Sequence, residues 1–213
     1  MLKTRHYLVV ACFLYDLWYN DIVKNRIDVS DIKYEINIKE VYYEWCKTYV
    51  AGHKSPDTDS ICSAISFANF LTQMGTPATP VCAGEANKET TYVLNHFGFE
   101  HPQIVKNWEE FAPEGGNLYL TDHNESKQII DGYKSMNMCG VVDHHRIGDF
   151  ETDGPVFMRL EPVGCSNTII TKLYMENNQE IPKTIAGLML SAIILILFYS
   201  ALQHAQKQIK KCT

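Results

Sequence analysis

The sequence has no CxxC pair, no basic run before its last few residues, and no internal repeat or low-complexity segment. Its seven cysteines are odd in number, which is typical of reduced thiols in a cytosolic protein and not of a disulfide framework. The net charge is -6, and the sequence lacks the basic surface that nucleic acid requires. We therefore expect a cytoplasmic protein that binds no nucleic acid.

We expect that the start of the sequence is not a secretory signal. Lys3 and Arg5 precede an apolar run at 7–15, but Asp16 interrupts the run and no small-residue cleavage site follows. We expect residues 1–46 to be an extension that precedes the main domain. The 46% hydrophobic content of the 213 residues is enough to bury a core.

What the sequence does contain is a short apolar segment, residues 49–52, that runs into metal-binding residue types. His53 follows it directly, then Asp57 and Asp59, and an apolar-rich run at 61–71 predicts a helix. An α/β sheet places its chemistry at such a strand–turn–helix connection, outside the carboxyl end of the strand. One imidazole and two carboxylates suit a hard or borderline divalent ion such as Mn²⁺.

Two later apolar segments end in the same way. One is followed by Asp122 and His123, and the other by Asp143, His144 and His145. A single Asp or His after a strand is most often a cap or a structural histidine. Three such ends together indicate a shared site, because parallel strands bring their carboxyl ends to one edge of a sheet.

The spacing of apolar segments from Thr48 onward predicts an α/β fold with a doubly wound, mainly parallel sheet and helices on both faces. A helix is predicted from Asn87 to Phe97, with Gly98 as its carboxyl-terminal cap. Another is predicted over 127–133. Ser60 is predicted to cap the helix that follows the first strand.

Several sequence blocks resemble those of one known family. His-Lys-Ser-Pro-Asp-Thr-Asp-Ser at 53–60, Asp-His-Asn-Glu at 122–125 and Asp-His-His at 143–145 are similar to blocks of the family II inorganic pyrophosphatases. These are the manganese-dependent members of the DHH phosphoesterase superfamily. The resemblance extends over residues 47–194, through further blocks at 159–168 and 186–192, and implies the amino-terminal DHH catalytic domain.

The resemblance implies that diphosphate and water are converted to two phosphates by two-metal activation of a bridging water. Two Mn²⁺ ions are expected, with Mg²⁺ or Co²⁺ as alternatives. The implied ligands of the first metal are His53, Asp57 and Asp122. Those of the second are Asp59, Asp122 and His144, so that Asp122 bridges the two ions.

Further roles follow from the same resemblance. His145 is expected to act in catalysis as a donor to phosphate. Asp143, His123 and Asn124 are expected to support the ligating imidazoles or to contact phosphate. The expected partners are pyrophosphate and a second copy of the chain in a homodimer, without a membrane.

The sequence departs from the family pattern at 195–197. The family carries Ser-Asp-Thr there, and this chain has Leu195-Ile196-Leu197, so Ile196 replaces a metal-binding Asp. Permitted codons can restore Ser-Asp-Thr in a shifted frame. We therefore expect 195–213 to be a frameshifted tail that replaces the rest of the enzyme and leaves it weak or inactive. The alternatives are a true apolar tail or membrane anchor, a phosphoesterase acting on nucleotides, and a non-catalytic metal-binding remnant.

Overall fold

Strands and helices alternate along residues 47–212, which are the residues that the computed structural model describes. The strands are β1 (Thr48–Ala51), β2 (Ala78–Cys82), β3 (Gln103–Ile104), β4 (Asn117–Thr121), β5 (Asn137–Asp143) and β6 (Phe157–Leu160). The helices are α1 (Thr58–Gln73), α2 (Lys88–Phe97), α3 (Trp108–Phe111), α4 (Ser166–Glu176) and α5 (Lys183–Cys212). The expectations for residues 1–46 lie outside this range.

The six strands form one sheet in the order β3-β2-β1-β4-β5-β6, and every neighbouring pair is parallel. The predicted doubly wound parallel sheet is thereby confirmed. The strand order reverses between β1 and β4, and an open α/β sheet has its binding crevice at such a reversal, outside the carboxyl ends of the strands. The residues that follow β1 and β4 are therefore neighbours at that crevice.

Both faces of the sheet are covered, which is why its strands are apolar on both sides. The larger core lies under α1, α2, α4 and α5 and contains Val50, Phe67, Ile169, Tyr174 and Leu188. The smaller core on the other face packs Trp108 of α3 against Tyr49, with ring centroids 5.4 Å apart. The sheet is therefore packed on both faces, and this packing fixes the positions of the strand ends.

The start of α1 differs from the prediction in its capping residue. Asp57, with extended backbone angles, is the amino-terminal cap, and its Oδ1 accepts a hydrogen bond of 3.0 Å from the backbone N–H of Ser60. The prediction that Ser60 caps this helix was wrong, because the helix begins two residues earlier at Thr58. Gly52 permits this close packing, since a Cβ there would lie 2.6 Å from the carbonyl oxygen of Ser60.

The helix predicted over 127–133 is also absent. The structure has 3₁₀ turns at Ser126–Gln128 and Tyr133–Ser135 instead, with extended chain at Ile129. Ile129 and Ile130 are adjacent and both buried in the smaller core. Gly132 has a φ of 76°, in the left-handed region, and this turn interrupts the predicted helix.

The last helix, α5, changes character along its length. Its first turns pack Ile185, Leu188 and Ala192 into the larger core, whereas Ile194, Leu197, Phe198 and Tyr199 are exposed. In the part of the chain that the structure describes, no helix is both long and apolar enough to span a bilayer.

Candidate metal centre

The site is built from residues at the carboxyl ends of three strands. His53 and Asp57 follow β1, Asp59 lies in the first turn of α1, and Asp122 follows β4. Asp122 has a φ of 67°, in the left-handed region that non-glycine residues rarely adopt. Such strain is held in place only by a well-packed surrounding structure, and it is concentrated at functional sites.

Two groups of side chains meet at Asp122, one on each of its carboxylate oxygens. The Nε2 atom of His53 lies 3.4 Å from Asp122 Oδ2 and 3.8 Å from Asp57 Oδ1. The Nε2 atom of His144 lies 3.2 Å from Asp122 Oδ1 and 3.7 Å from Asp59 Oδ2. We call the His53 group the first position and the His144 group the second position. The structure thus brings together all five of the residues predicted as metal ligands.

The two imidazoles are oriented by their other ring nitrogen. His53 Nδ1 donates to the carbonyl oxygen of Lys54 at 2.7 Å, and His144 Nδ1 donates to that of Val163 at 3.0 Å. A carbonyl oxygen only accepts, so the proton is on Nδ1 and the Nε2 lone pair points towards the carboxylates when the ring is neutral. Histidines that bind metals in proteins are held in this way. The donor set therefore fits a pair of cations.

The buried imidazole and carboxylate groups of the site shift one another's pKa values. Burial lowers the pKa of His53, but its contacts with Asp122 and Asp57 outweigh burial and raise it to about 10. Burial and the neighbouring charge of Asp122 raise the pKa of Asp59 to about 7. Burial works against ionisation of Asp122 as well, yet His144 and His53 hold its pKa well below the usual range. Strongly shifted pKa values at three of the five predicted ligands are typical of functional sites.

His145 faces outward, with 52% of its side chain exposed, and Asp143 behind it is fully buried. Asp143 Oδ1 accepts from His145 Nδ1 at 2.8 Å, and this hydrogen bond raises the pKa of His145. Asp122, His144 and His145 are also close enough to share one ion. We favour His145 as a group facing solvent, because its Nδ1 is engaged with Asp143 and lies 3.8 Å from Asp122 Oδ1.

The other two predicted residues are buried beside the site. Asn124 donates through Nδ2 to Asp143 and, at 2.9 Å, to the carbonyl oxygen of Arg146. His123 donates from Nδ1 to the carbonyl oxygen of Thr121 at 2.9 Å, and burial lowers its pKa to about 4. His123 is therefore neutral at physiological pH. The centroid of its ring lies 6.3 Å from the centroid of the His53 ring.

Cys165 and the first turn of α4 contact the site through residues that no motif in the sequence indicates. Cys165, Ser166 and Asn167 donate hydrogen bonds to Asp59, and Ser166 Oγ donates to Asp122 Oδ1 at 2.9 Å. In the sequence, only the resemblance of residues 159–168 to a block of the family points to this part of the chain. The donors are more than a hundred residues from Asp59 in sequence, so no local pattern reveals them.

Together, the fold and the site define an open parallel α/β domain that carries a shared-carboxylate Asp/His cluster at its topological reversal. The model of the DHH family, N-terminal domain, matches residues 47–193, and the chain belongs to this family. It is 50% identical over 148 residues to a Bacillus licheniformis protein named a probable manganese-dependent inorganic pyrophosphatase. It is 49% identical over 156 residues to a Listeria innocua protein of the same name.

A solved structure agrees with this assignment. A Methanococcus jannaschii protein assigned to the family II inorganic pyrophosphatases is 36% identical, with a TM-score of 0.62 over 69% of this chain and 47% of that one. The two bacterial matches cover 70% and 72% of this chain. They cover 47% and 50% of the relatives, so the chain spans about half the length of the curated relatives that it matches.

Proposed function

We propose that this chain carries the metal-binding catalytic centre of a manganese-dependent inorganic pyrophosphatase, which hydrolyses diphosphate to two phosphates. The observation that carries the proposal is Asp122, whose two oxygens face His53 and His144 at 3.4 and 3.2 Å. A buried carboxylate between two imidazole–carboxylate groups suits two neighbouring dications, because its charge offsets their repulsion. The relatives named manganese-dependent inorganic pyrophosphatases support the same function.

The proposed ligands are His53, Asp57 and Asp122 for one Mn²⁺ and Asp59, Asp122 and His144 for the other. Imidazole nitrogens and carboxylate oxygens suit Mn²⁺, and they also accommodate Mg²⁺ or Co²⁺ with altered affinity. When bound, such a pair of ions supplies an activated water at neutral pH and offsets charge on the phosphoryl oxygens. The fixed Nδ1 contacts of the two histidines keep these ligands aimed at the ions.

His145 is proposed to bind substrate. Its half-exposed imidazole is held by Asp143, which favours the protonated form, so a positive donor faces the incoming phosphate. Two nearby cations are already paired in the structure: Lys54 with Asp131 at 2.7 Å, and Arg146 with Glu125 at 2.7 Å. His145 is therefore the cationic group of this chain that we assign to the substrate.

Phosphate release tests the proposal. Any phosphate that the purified chain releases from pyrophosphate in Mn²⁺ should form faster than it cleaves a dinucleotide, and the His145→Ala variant should need more pyrophosphate for the same rate while it still binds Mn²⁺. Faster cleavage of the dinucleotide would instead assign the chain to DHH phosphoesterases that act on nucleotides. Full Mn²⁺ binding without turnover of either substrate would assign it to non-catalytic metal-binding proteins.

We further propose that residues 195–213, which diverge from the family pattern, are a frameshifted tail. It is supported by Leu197, Phe198 and Tyr199 on α5, whose exposed fractions are 57%, 63% and 62%. Apolar side chains left in solvent are what a frameshifted reading would produce. The gene sequence decides this: codons from residue 194 onward that cannot encode Ser-Asp-Thr in a shifted frame would contradict it.

A cytoplasmic location and a homodimer complete the proposal. Cys62, Cys82 and Cys165 are buried free thiols, which supports a reducing compartment. The strand β6 is at the end of the sheet, and its Phe157 and Met158 are exposed, which supports pairing with a second copy. Sedimentation at micromolar concentration distinguishes the dimer from a monomer.

A further inference from the structure

The first turn of α4 holds Asp59 through four hydrogen-bond donors. Asp59 Oδ1 accepts from Cys165 Sγ at 3.0 Å, from Asn167 Nδ2 at 2.7 Å and from the Asn167 backbone N–H at 3.3 Å. Asp59 Oδ2 accepts from the backbone N–H of Ser166 at 2.7 Å. Asp59 is buried, so water does not compete for these contacts.

The two oxygens of Asp59 are therefore not equivalent. Three donors occupy Oδ1, which has no lone pair left to offer. Only one donor occupies Oδ2, and this oxygen lies 3.7 Å from Nε2 of His144, inside the second position. A cation at the second position would bind Oδ2 alone, so the choice of oxygen is made by α4 before any cation arrives.

The stability of the fold does not explain why an Asn occupies position 167. It is fully buried, and its Oδ1 has no hydrogen-bond partner in the part of the chain that the structure describes. A buried acceptor without a partner destabilises a fold, and an apolar residue of similar shape would avoid that penalty. The amide nitrogen, however, meets Asp59 Oδ1 at 2.7 Å. This contact is the gain that accounts for an amide at this position.

We propose that Asn167 is a positioning residue that fixes Asp59 for the second cation and leaves the first cation unaffected. The inference rests on the proposed two-cation site and deepens it. The same turn also reaches the shared carboxylate, because Ser166 Oγ donates to Asp122 Oδ1 at 2.9 Å, on the side of the second position. The partial positive charge of a helix amino terminus favours both carboxylates.

The test is stepwise calorimetric titration of the metal-free chain with Mn²⁺, comparing wild type with Asn167→Leu. Loss of a hydrogen-bond partner behind a ligand typically weakens metal binding by about 10–100-fold. We expect a loss of this size for the second ion, a change of less than about twofold for the first, and an unfolding midpoint in urea that is not lowered. The Asp57→Asn variant identifies which binding step belongs to the first position.

Asn177→Ala is the matched control at the other end of α4. Asn177 Nδ2 donates to the carbonyl oxygen of Leu173 at 2.9 Å, at the end of α4 that does not contact Asp59. This variant should change neither binding step. If leucine is not tolerated at position 167, Asn167→Ala removes the same donor without added bulk and should give the same split.

The outcomes separate this inference from the proposed function. Unchanged second-ion affinity, or an equal loss for both ions, in both substitutions at position 167 overturns the inference. A wild-type chain that binds only one ion also overturns it, since there is then no second ion to position. A wild-type chain that binds two ions but does not hydrolyse pyrophosphate contradicts the proposed function and leaves the inference standing.

Discussion

Replacing Asp122 with Asn should weaken both cation positions, because this one carboxylate faces both. Asn keeps the size and the tolerance of the left-handed backbone, at a φ of 67°. It removes the negative charge and replaces one of the two acceptor oxygens with an amide nitrogen, which only donates. Both carboxylate oxygens are used, at 3.4 Å from His53 Nε2 and 3.2 Å from His144 Nε2, and the residue is only 2% exposed.

The size of the effect follows from the charge that is lost. Two unit charges about 4 Å apart interact by about 4 kcal/mol at an effective dielectric constant of about 20. Mn²⁺ carries two charges, which doubles this energy, and a factor of ten in affinity is about 1.4 kcal/mol, so the loss of charge alone exceeds about a thousandfold. The remaining amide oxygen of Asn recovers part of this energy. We therefore expect Asp122→Asn to weaken each Mn²⁺ by at least about a hundredfold.

Asp57→Asn is the matched comparison. Asn caps helices as well as Asp does, so α1 keeps its cap, and only the first position loses a charge. Calorimetric Mn²⁺ titration should show one weakened step for Asp57→Asn and two for Asp122→Asn. Equal losses in the two variants, or a single weakened step for Asp122→Asn, would refute the shared carboxylate.

His145→Ala should keep Mn²⁺ affinity within about twofold and raise the KM for pyrophosphate by about tenfold, since one charge-assisted hydrogen bond is lost; a matching loss of metal affinity would contradict this. Gly52→Ala should lower the free energy of unfolding by about 1–3 kcal/mol in urea, because its Cβ would lie 2.6 Å from the carbonyl oxygen of Ser60. Gly84→Ala, with its nearest atom at 3.4 Å, is the control that should change little. In EDTA, the free energy of unfolding should fall as the pH rises from about 7 to about 10, because the raised pKa of His53 makes its protonated form the stabilising one. Mn²⁺ affinity should rise over the same interval, because the imidazole must lose its proton to bind, and a pH-independent affinity would count against His53 as a ligand.

The features that the sequence predicts well are local or follow from topology. The predicted cap of α2 at Gly98 is present, because capping depends on residues within one turn, and the helix begins at Lys88, one residue after the predicted start, with Asn87 as its amino-terminal cap. Parallel strands must align their carboxyl ends, and so the grouping of Asp and His after three apolar segments could be anticipated.

The features that the sequence does not predict depend on tertiary contacts. Ser60 is a good capping residue, but Asp57 caps α1 because the chain enters the helix two residues earlier. The segment 127–133 has helix-forming residues, but Ile129 is extended and Gly132 is left-handed, and Ile129 and Ile130 are buried in the smaller core. The hold of Asn167 on Asp59 joins residues 108 apart in sequence, and it becomes visible only when the sheet is assembled.

Electron paramagnetic resonance of the chain loaded with two equivalents of Mn²⁺ tests the central claim most directly. Dications that share a carboxylate lie about 3.5–4 Å apart in two-metal sites, close enough for their spins to couple. We expect a spin-coupled spectrum in the wild type and loss of the coupling in the Asp122→Asn variant. A spectrum of isolated Mn²⁺ ions in the fully loaded wild type would contradict the claim that Asp122 bridges two cations.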